Sequence, residues 1–308
     1  MIEGCPICQS IDIEVKGNYR GVHTTFAGLH RTHCHSCGMV FTTPIPGETA
    51  LEKYNASYFT SAHGGKPQNK ITTAFFSGLA RLRVAYIEHY LDMQKIKVSS
   101  LLELGPGPGF FASNWLIRHP QTNYLAIETD RSCHDSLQKL GVLLIDTITN
   151  EKEIAPVDLV VMSHVLEHVS NPIKFLSDVT RNLRRGGALF IEVPCRDWEH
   201  KHIDEPHLLF FDKKPMLYLL KKLGFENIQL SYHGKEIEKL RSNSLSDRKL
   251  MAIRSKLISF GLIWPFAKNR IGMESIKNPL ERAVIAPFKA HLESAKPAWW
   301  LRAIATKS

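Results

Sequence analysis

The 308-residue sequence predicts an α/β fold: a parallel sheet with helices on both faces, preceded by a small cysteine-anchored module. Three observations predict it. Between residues 99 and 232, short apolar runs alternate with segments of helical period, the pattern of strands joined by crossover helices. Four of the six cysteines fall within the first 37 residues as two CxxC pairs. A glycine-rich turn, Gly105-Pro-Gly107-Pro-Gly109, stands where the first apolar run gives way to a helical one.

The module comes first. Cys5-Pro-Ile-Cys8 and Cys34-His-Ser-Cys37 are separated by 25 residues. Each pair presents two sulfurs to one ion, so four thiolates can close a tetrahedral site. With no signal peptide or spanning segment in the sequence, the expected compartment is the cytoplasm, where such a set reads as zinc rather than as disulfides. The expected role of that zinc is structural, because four protein ligands leave no open position; His33 and His35 could replace one of them. Strands are expected at Ile11 to Val15 and from Gly38 to Phe41, and Pro44 and Pro46 close the unit at about residue 46. Cys133 and Cys195 read as ordinary thiols.

A linker follows over residues 47–98. It carries Tyr54, Tyr58 and Phe59, then a helical stripe of Ile71, Phe75, Leu79, Leu82, Tyr86 and Tyr90 that would cover the edge of a larger domain. From residue 99 the strands are expected at Leu101 to Leu104, Tyr124 to Ile127, Val142 to Ile145, Leu159 to Met162 and Leu189 to Val193. The crossover helices are expected at Phe110 to Arg118, Cys133 to Leu140, Pro172 to Arg184 and Lys213 to Leu223, the last two stopped by Gly186-Gly187 and Gly224. A sixth strand covers Asn227 to Tyr232 and a seventh Ala298 to Ala305. About 234–297 is left as an insertion far longer than ordinary connections.

The charge belongs to one segment. Residues 1–233 carry 24 basic and 24 acidic side chains, whereas 234–308 carry 15 and 6, so the whole net charge of +9 lies in the last part of the chain. Within it, Leu250, Ile253, Leu257, Phe260 and Trp264 recur at helical spacing beside Arg248, Lys249, Arg254 and Lys256, an amphipathic basic helix. Two readings stay open for this insertion: a lid over the active-site mouth, or peripheral docking on anionic lipid at the inner face of a membrane.

The glycine turn is not that of a dinucleotide site. That fingerprint needs glycine or alanine three residues after Gly107, where Phe110 stands, and the acidic Glu103 before the turn would repel a pyrophosphate. A phosphate-free cationic cofactor fits better. Glu128 closes the second strand, 23 residues after Gly105, placed to accept hydrogen bonds from both hydroxyls of a ribose.

These features resemble the class I S-adenosylmethionine-dependent methyltransferases. The resemblance runs through the glycine turn, Glu128, the stretch Asp158-Leu-Val-Val-Met-Ser-His-Val-Leu-Glu167-His168, the Leu183-Arg-Arg-Gly-Gly187 turn and Leu223-Gly-Phe225, over residues 99–232. It implies a Rossmann-like seven-stranded methyltransferase fold with an N-terminal zinc ribbon. It also implies S-adenosylmethionine held by Glu103, Gly105, Gly107, Gly109 and Ser163, with Glu128 on the ribose, Thr129 beside the adenine and Asp146 near the adenine amine. More narrowly, the paired CxxC motifs, Thr43-Pro-Ile-Pro46, the Tyr54 to Phe59 segment and His207-Leu-Leu-Phe210-Phe211 resemble bacterial methyltransferases that modify sugars, glycans or related small molecules. The implied partner is such an acceptor, free or lipid-linked, methylated on oxygen, carbon or nitrogen.

Methyl transfer to a hydroxyl requires alignment and a base. His164 and His168 follow the fourth strand and His200, His202 and His207 the fifth, all at the carboxyl edge where such sheets bind ligands; His168 and His207 are the expected catalytic residues. Each also has a purely structural reading as a hydrogen-bonded histidine. Glu167-His168 could instead join a divalent metal. Two competing functions remain: an RNA methyltransferase, although the cysteine module lacks a basic, aromatic-rich face and nucleic acid is not the expected partner, and a degenerate, non-catalytic binding subunit.

Overall fold

The computed structural model describes residues 4–55, 69–145, 155–241, 253 and 278–308. In the module, β1 (Ile13–Asn18), β2 (His30–Cys34) and β3 (Val40–Thr43) form an antiparallel meander. The Cys34 to Gly38 knuckle closes through the Gly38 amide on the Cys34 carbonyl (2.9 Å) and the Cys34 amide on the Met39 carbonyl (2.8 Å). Gly38 takes a φ of +79° there, which a side chain would strain. Strand β2 is absent from the sequence reading because His30, Arg31, Thr32 and His33 show no apolar alternation.

After α1 (Glu48–Asn55) comes α2 (Lys70–Gln94), begun by Asn69, whose side chain accepts from the Ile71 and Thr72 amides. The expectation of an edge helix is corrected. α2 lies on a face of the sheet, with Val84, Ile87, Tyr90 and Leu91 buried in one core with Leu101, Leu159, Phe190 and Ile304.

The main domain then runs β4 (Ser100–Leu104), α3 (Phe110–Arg118), β5 (Asn123–Ile127), α4 (His134–Lys139), β6 (Leu143–Leu144), β7 (Val157–Ser163), α5 (Pro172–Val179) and β8 (Leu183–Pro194). It continues with β9 (Leu209–Phe210), α6 (Lys213–Lys222), β10 (Phe225–Glu236), α7 (Ile237–Arg241), α8 (Pro279–Ile285), β11 (Glu293–Ser294) and β12 (Ala298–Lys307).

The seven expected strands pair in one sheet, joined at its edge by β11, in the order β11-β10-β12-β8-β7-β4-β5-β6. Strands β4 to β8 are parallel, but β12 runs antiparallel between β8 and β10, so the sheet is mixed rather than all-parallel. Antiparallel neighbours need no crossover helix, so β12 pairs with β10 although the long insertion separates them in sequence. The connections diverge on either side of β4, toward β5 on one flank and β7 on the other, which opens a crevice at their carboxyl ends.

The expected helix from Pro172 to Arg184 stops at Val179. Leu183 already pairs with Val157, and the next pair is Leu159 with Ala188, so Arg184 to Gly187 form a bulge inside β8. A Cβ on Gly187 would sit 2.9 Å from the Asp158 carbonyl oxygen, which is why that bulge carries glycine rather than a helix stop.

The module is not separate from the main domain. β3 pairs with β9, Val40 with Phe210 and Phe41 with Leu209, and its buried Cys5, Ile7, Met39 and Phe41 join a core that contains Leu102, Val160 and Ile191. The boundary at residue 46 is a boundary in sequence only. The ends of the insertion also fold onto the body. Where α8 crosses α2, a Cβ on Gly78 would meet Ile285 Cδ1 at 2.1 Å, and Ser77 and Arg81 hold Glu281 at 2.9 and 2.7 Å. The predicted basic amphipathic helix lies outside the described residues, Ile253 excepted. No described helix is long and apolar enough to cross a membrane.

Candidate active site

The glycine turn follows β4 directly. Gly105, Gly107 and Gly109 take φ values of +62°, +54° and +87°, and Gly109 opens α3. A Cβ on Gly105 would sit 2.8 Å from Val165 Cγ2, whereas one on Gly107 would meet nothing within 4 Å, so the backbone at Gly107 borders open space. Glu128, at the end of β5, accepts from the Gly107 amide through Oε2 and from the Asp130 amide through Oε1, both at 2.8 Å. One carboxylate thus ties the two loops together. Thr129 is exposed beside it. Asp146 lies outside the described residues.

Glu103, the acid before the turn, is buried. It alternates with Leu102 and Leu104 so that its carboxyl points into the α2 side of the sheet, where it is buried and accepts from the Tyr124 hydroxyl. Burial pushes its pKa up to about 8, so at neutral pH it is mostly the uncharged acid.

The end of β7 carries the second group. Ser163 Oγ is buried without a hydrogen-bond partner among the described residues. His164 takes a φ of +59°, uncommon for a non-glycine residue, and its amide donates to the Glu192 carbonyl at 2.8 Å. That turn places its Nδ1 3.2 Å from Glu167 Oε1 and its Nε2 3.7 Å from Glu192 Oε1. Burial opposes ionisation of Glu167, yet the imidazoles around it hold its carboxyl below the usual range. Neither of its oxygens makes a hydrogen bond of good geometry among the described residues.

His168 and His207, expected from the sequence as a pair, do come together, with ring centroids 4.9 Å apart. Burial depresses the His168 pKa to about 4, so that imidazole is neutral. His207 is 5% exposed and its Nδ1 lies 2.6 Å from Asp197 Oδ2, which also takes Lys201 Nζ at 2.9 Å. Burial disfavours the Asp197 charge, but the His207 imidazole and Lys201 outweigh it and hold the carboxyl far below the usual range. His200 stands 6.2 Å from the Trp299 ring, and burial lowers its pKa to about 4; His202 is exposed.

Asp197 is the residue that sequence reasoning missed. Its one signal is an acid in the same loop as His207, ten positions earlier, and no motif fixes that spacing. The Arg83–Glu192–Arg302 network was equally hidden. Arg83 Nε and Arg302 Nε reach opposite oxygens of the buried Glu192 at 2.8 and 2.7 Å, each from a different element.

In the module, Cys5 and Cys37 sulfurs are 3.5 Å apart and Cys8 and Cys34 sulfurs 3.4 Å, and all four lie within 4.8 Å of one another. A tetrahedral ion with sulfur ligands at about 2.3 Å separates them by about 3.8 Å, so the set fits one ion. His33 and His35 are not part of that group; His35 instead pairs with Glu14 at 3.3 Å.

The family profile that matches the chain is described as a methyltransferase domain and covers residues 77–230. Its start inside α2 agrees with the packing of that helix on the sheet. An uncharacterized protein of Methanocaldococcus jannaschii is 28% identical over 154 residues, 45% of this chain and 71% of that protein. A Thermotoga maritima structure described as a SAM-dependent methyltransferase, possible histamine N-methyltransferase, superposes with a TM-score of 0.51 at 13% identity, over 84% of this chain and all of that one. An Archaeoglobus fulgidus SAM-dependent methyltransferase gives 0.45 at 16% identity, over 74% and 94%.

Proposed function

Because the chain belongs to the methyltransferase-domain family and is an S-adenosylmethionine-dependent methyltransferase, we propose that it methylates a sugar, glycan or related small molecule, with His207 as the base. The observation that carries this reading is the Asp197–His207 pair beside His168, at the same sheet edge as the glycine turn. When bound, S-adenosylmethionine supplies a methyl group on a sulfonium that is already a good leaving group. The residues present suit it: open space at Gly107, the unpartnered Ser163 hydroxyl, and Glu128 at the mouth of the second loop.

The remaining work falls to the chain's own groups. Gly105, Gly107 and Gly109 let the backbone approach the methionine end, Glu128 accepts from the ribose hydroxyls and Thr129 borders the adenine. The ionised Asp197 accepts a hydrogen bond from His207 Nδ1–H, which fixes the tautomer and leaves Nε2 as the acceptor for a proton from substrate. Neutral His168 and charged Glu167 line the same recess and stabilise the imidazolium that results. Calorimetry with S-adenosylmethionine tests the cofactor half, and turnover of His207→Gln on the acceptor tests the base. Full turnover in that variant would reject the assignment of His207.

A second reading has its own support. One ligand atom each from Glu167, His168 and His207 lies within 4.8 Å of the others, and the Glu167 oxygens are buried without hydrogen-bond partners among the described residues. These three would hold a divalent cation, whose charge would acidify an acceptor hydroxyl. Metal analysis decides: two ions per chain with one lost in Glu167→Gln supports the cation, and one ion unaffected by that change supports the metal-free base.

The proposal extends to zinc as a structural ion on Cys5, Cys8, Cys34 and Cys37, and to a lipid-linked acceptor met through the basic insertion. The insertion's support is its charge, 13 basic against 6 acidic side chains in residues 234–297.

A further inference from the structure

Segment 198–210 carries His207 and is gripped from both sides by the cysteine module. On one side, Asp204 is 1% exposed and receives Arg20 three ways: the backbone amide at 2.8 Å, Nε at 3.1 Å, both on Oδ2, and Nη2 on Oδ1. The Asp204 amide returns a bond to the Arg20 carbonyl at 2.8 Å, and Arg20 Nη2 also donates to the Trp198 carbonyl at 2.7 Å. Glu205 accepts from the Val22 and His23 amides at 2.7 and 3.0 Å, and from the Tyr54 hydroxyl at 3.0 Å. Arg31 adds Nε 3.6 Å from Asp204 Oδ2 while its guanidinium stacks over Trp198.

On the other side, the Thr42 amide donates to the Leu208 carbonyl at 2.9 Å and β3 pairs with β9. His207 sits between the two grips, and its own amide donates to the Asp204 carbonyl at 2.9 Å. Next to it, the Leu208 amide donates to the Glu167 carbonyl at 2.8 Å, which locks the segment to the His168 loop. The second grip lies on β3, which begins just after Cys37; the first comes from Arg20, Val22 and His23 in the loop between β1 and β2, and from Arg31 on β2, the strand that ends at Cys34.

We propose that the four-cysteine module is a positioning device for the active site, with Arg20 and Asp204 as positioning residues that hold His207 on Asp197. This deepens the reading of His207 as the base and rests on it. The ionised pair Arg20–Asp204 replaces water around a buried carboxylate with a fixed fork of donors, so its loss leaves a buried acid that draws the segment toward solvent. The module would then reach the chemistry through the loop, without touching cofactor or acceptor.

The test uses the full chain loaded with S-adenosylhomocysteine and compares Arg20→Ala, Asp204→Asn and the conservative Arg20→Lys. Two readouts are followed: amide hydrogen exchange over residues 198–210, and the slowly exchanging imidazole N–H of His207 seen by NMR. Arg20→Ala and Asp204→Asn are expected to speed exchange in that segment about tenfold and to erase the imidazole signal. In both, β4 stays protected and S-adenosylhomocysteine affinity stays within about twofold. Arg20→Lys should restore the signal in part, and stripping metal from the thiols of the unmodified chain should reproduce the Arg20→Ala result. An unchanged imidazole signal in both variants overturns the proposal. So does uniform loss of protection through β4 and β7 with loss of S-adenosylhomocysteine binding, because the module would then serve the whole domain rather than His207. Calorimetry on the unmodified chain separates either result from a failure of the methyltransferase reading itself.

Discussion

His207 and Asp197 form a sealed pair: Nδ1 and Oδ2 are 2.6 Å apart, and both side chains are almost wholly withdrawn from water. A carboxylate in that position fixes the imidazole tautomer and favours the imidazolium once a proton arrives. Asp197→Asn keeps the shape but removes the charge. Turnover on the acceptor is expected to fall at least about a hundredfold, with S-adenosylmethionine affinity unchanged. Steady-state kinetics and calorimetry on the same variant check both halves, and wild-type turnover would remove Asp197 from the mechanism.

Glu103 gives a pH prediction. Its ordinary value of 4.5 rises to about 8 in the fold because it is buried. Below about 4.5 both native and unfolded chains hold the proton and its contribution is complete. Between there and about 8 the unfolded chain releases the proton that the native chain keeps, so stability falls as pH rises, by at most about 1.4 kcal/mol per unit. Glu103→Gln has no such proton to lose. Urea melts at pH 5, 6.5 and 8 should show the variant gaining on the wild type at each step; a constant difference would mean that Glu103 is ionised in the native state.

Glu128→Ala should weaken S-adenosylmethionine and S-adenosylhomocysteine alike, by about tenfold to a hundredfold, because it removes a charged acceptor for the ribose and frees the Gly107 amide. Calorimetry measures it. Unaltered affinity would place the nucleoside elsewhere on the sheet edge.

Elemental analysis is expected to find zinc on the four sulfurs, and Cys34→Ala to lose that ion and lower the melting temperature. The same module, free of metal yet as stable as the loaded one, would show that its core alone holds the knuckles.

The basic insertion separates two outcomes. If it docks on lipid, the chain should sediment with anionic vesicles more than neutral ones and be released by salt, since each basic residue near the surface contributes on the order of 1 kcal/mol. Leu257→Ser with Phe260→Ser should then weaken sedimentation only. If it is a lid, the same double variant should lose turnover on a soluble acceptor and never sediment with vesicles.

The sequence by itself determined the elements whose signal is local. Apolar runs set β4, β5 and β7 to within a residue or two, Gly109 and Arg118 bounded α3, and the two CxxC knuckles announced the sulfur site. The glycine turn and Glu128 were readable because backbone conformation and a strand-end carboxylate leave marks at fixed spacing. Only the tertiary structure decided what depends on distant residues. It neutralised Glu103 by burying it against Tyr124, joined Asp197 to His207, and placed Arg20 on Asp204 across 184 positions of sequence. It also turned a two-residue strand, Leu209–Phe210, into the seam between module and domain. Hydrophobic periodicity reports which face of a segment leaves water. The charge state of a buried acid, and the partner of a buried base, are set by whatever the fold brings beside them from elsewhere in the chain.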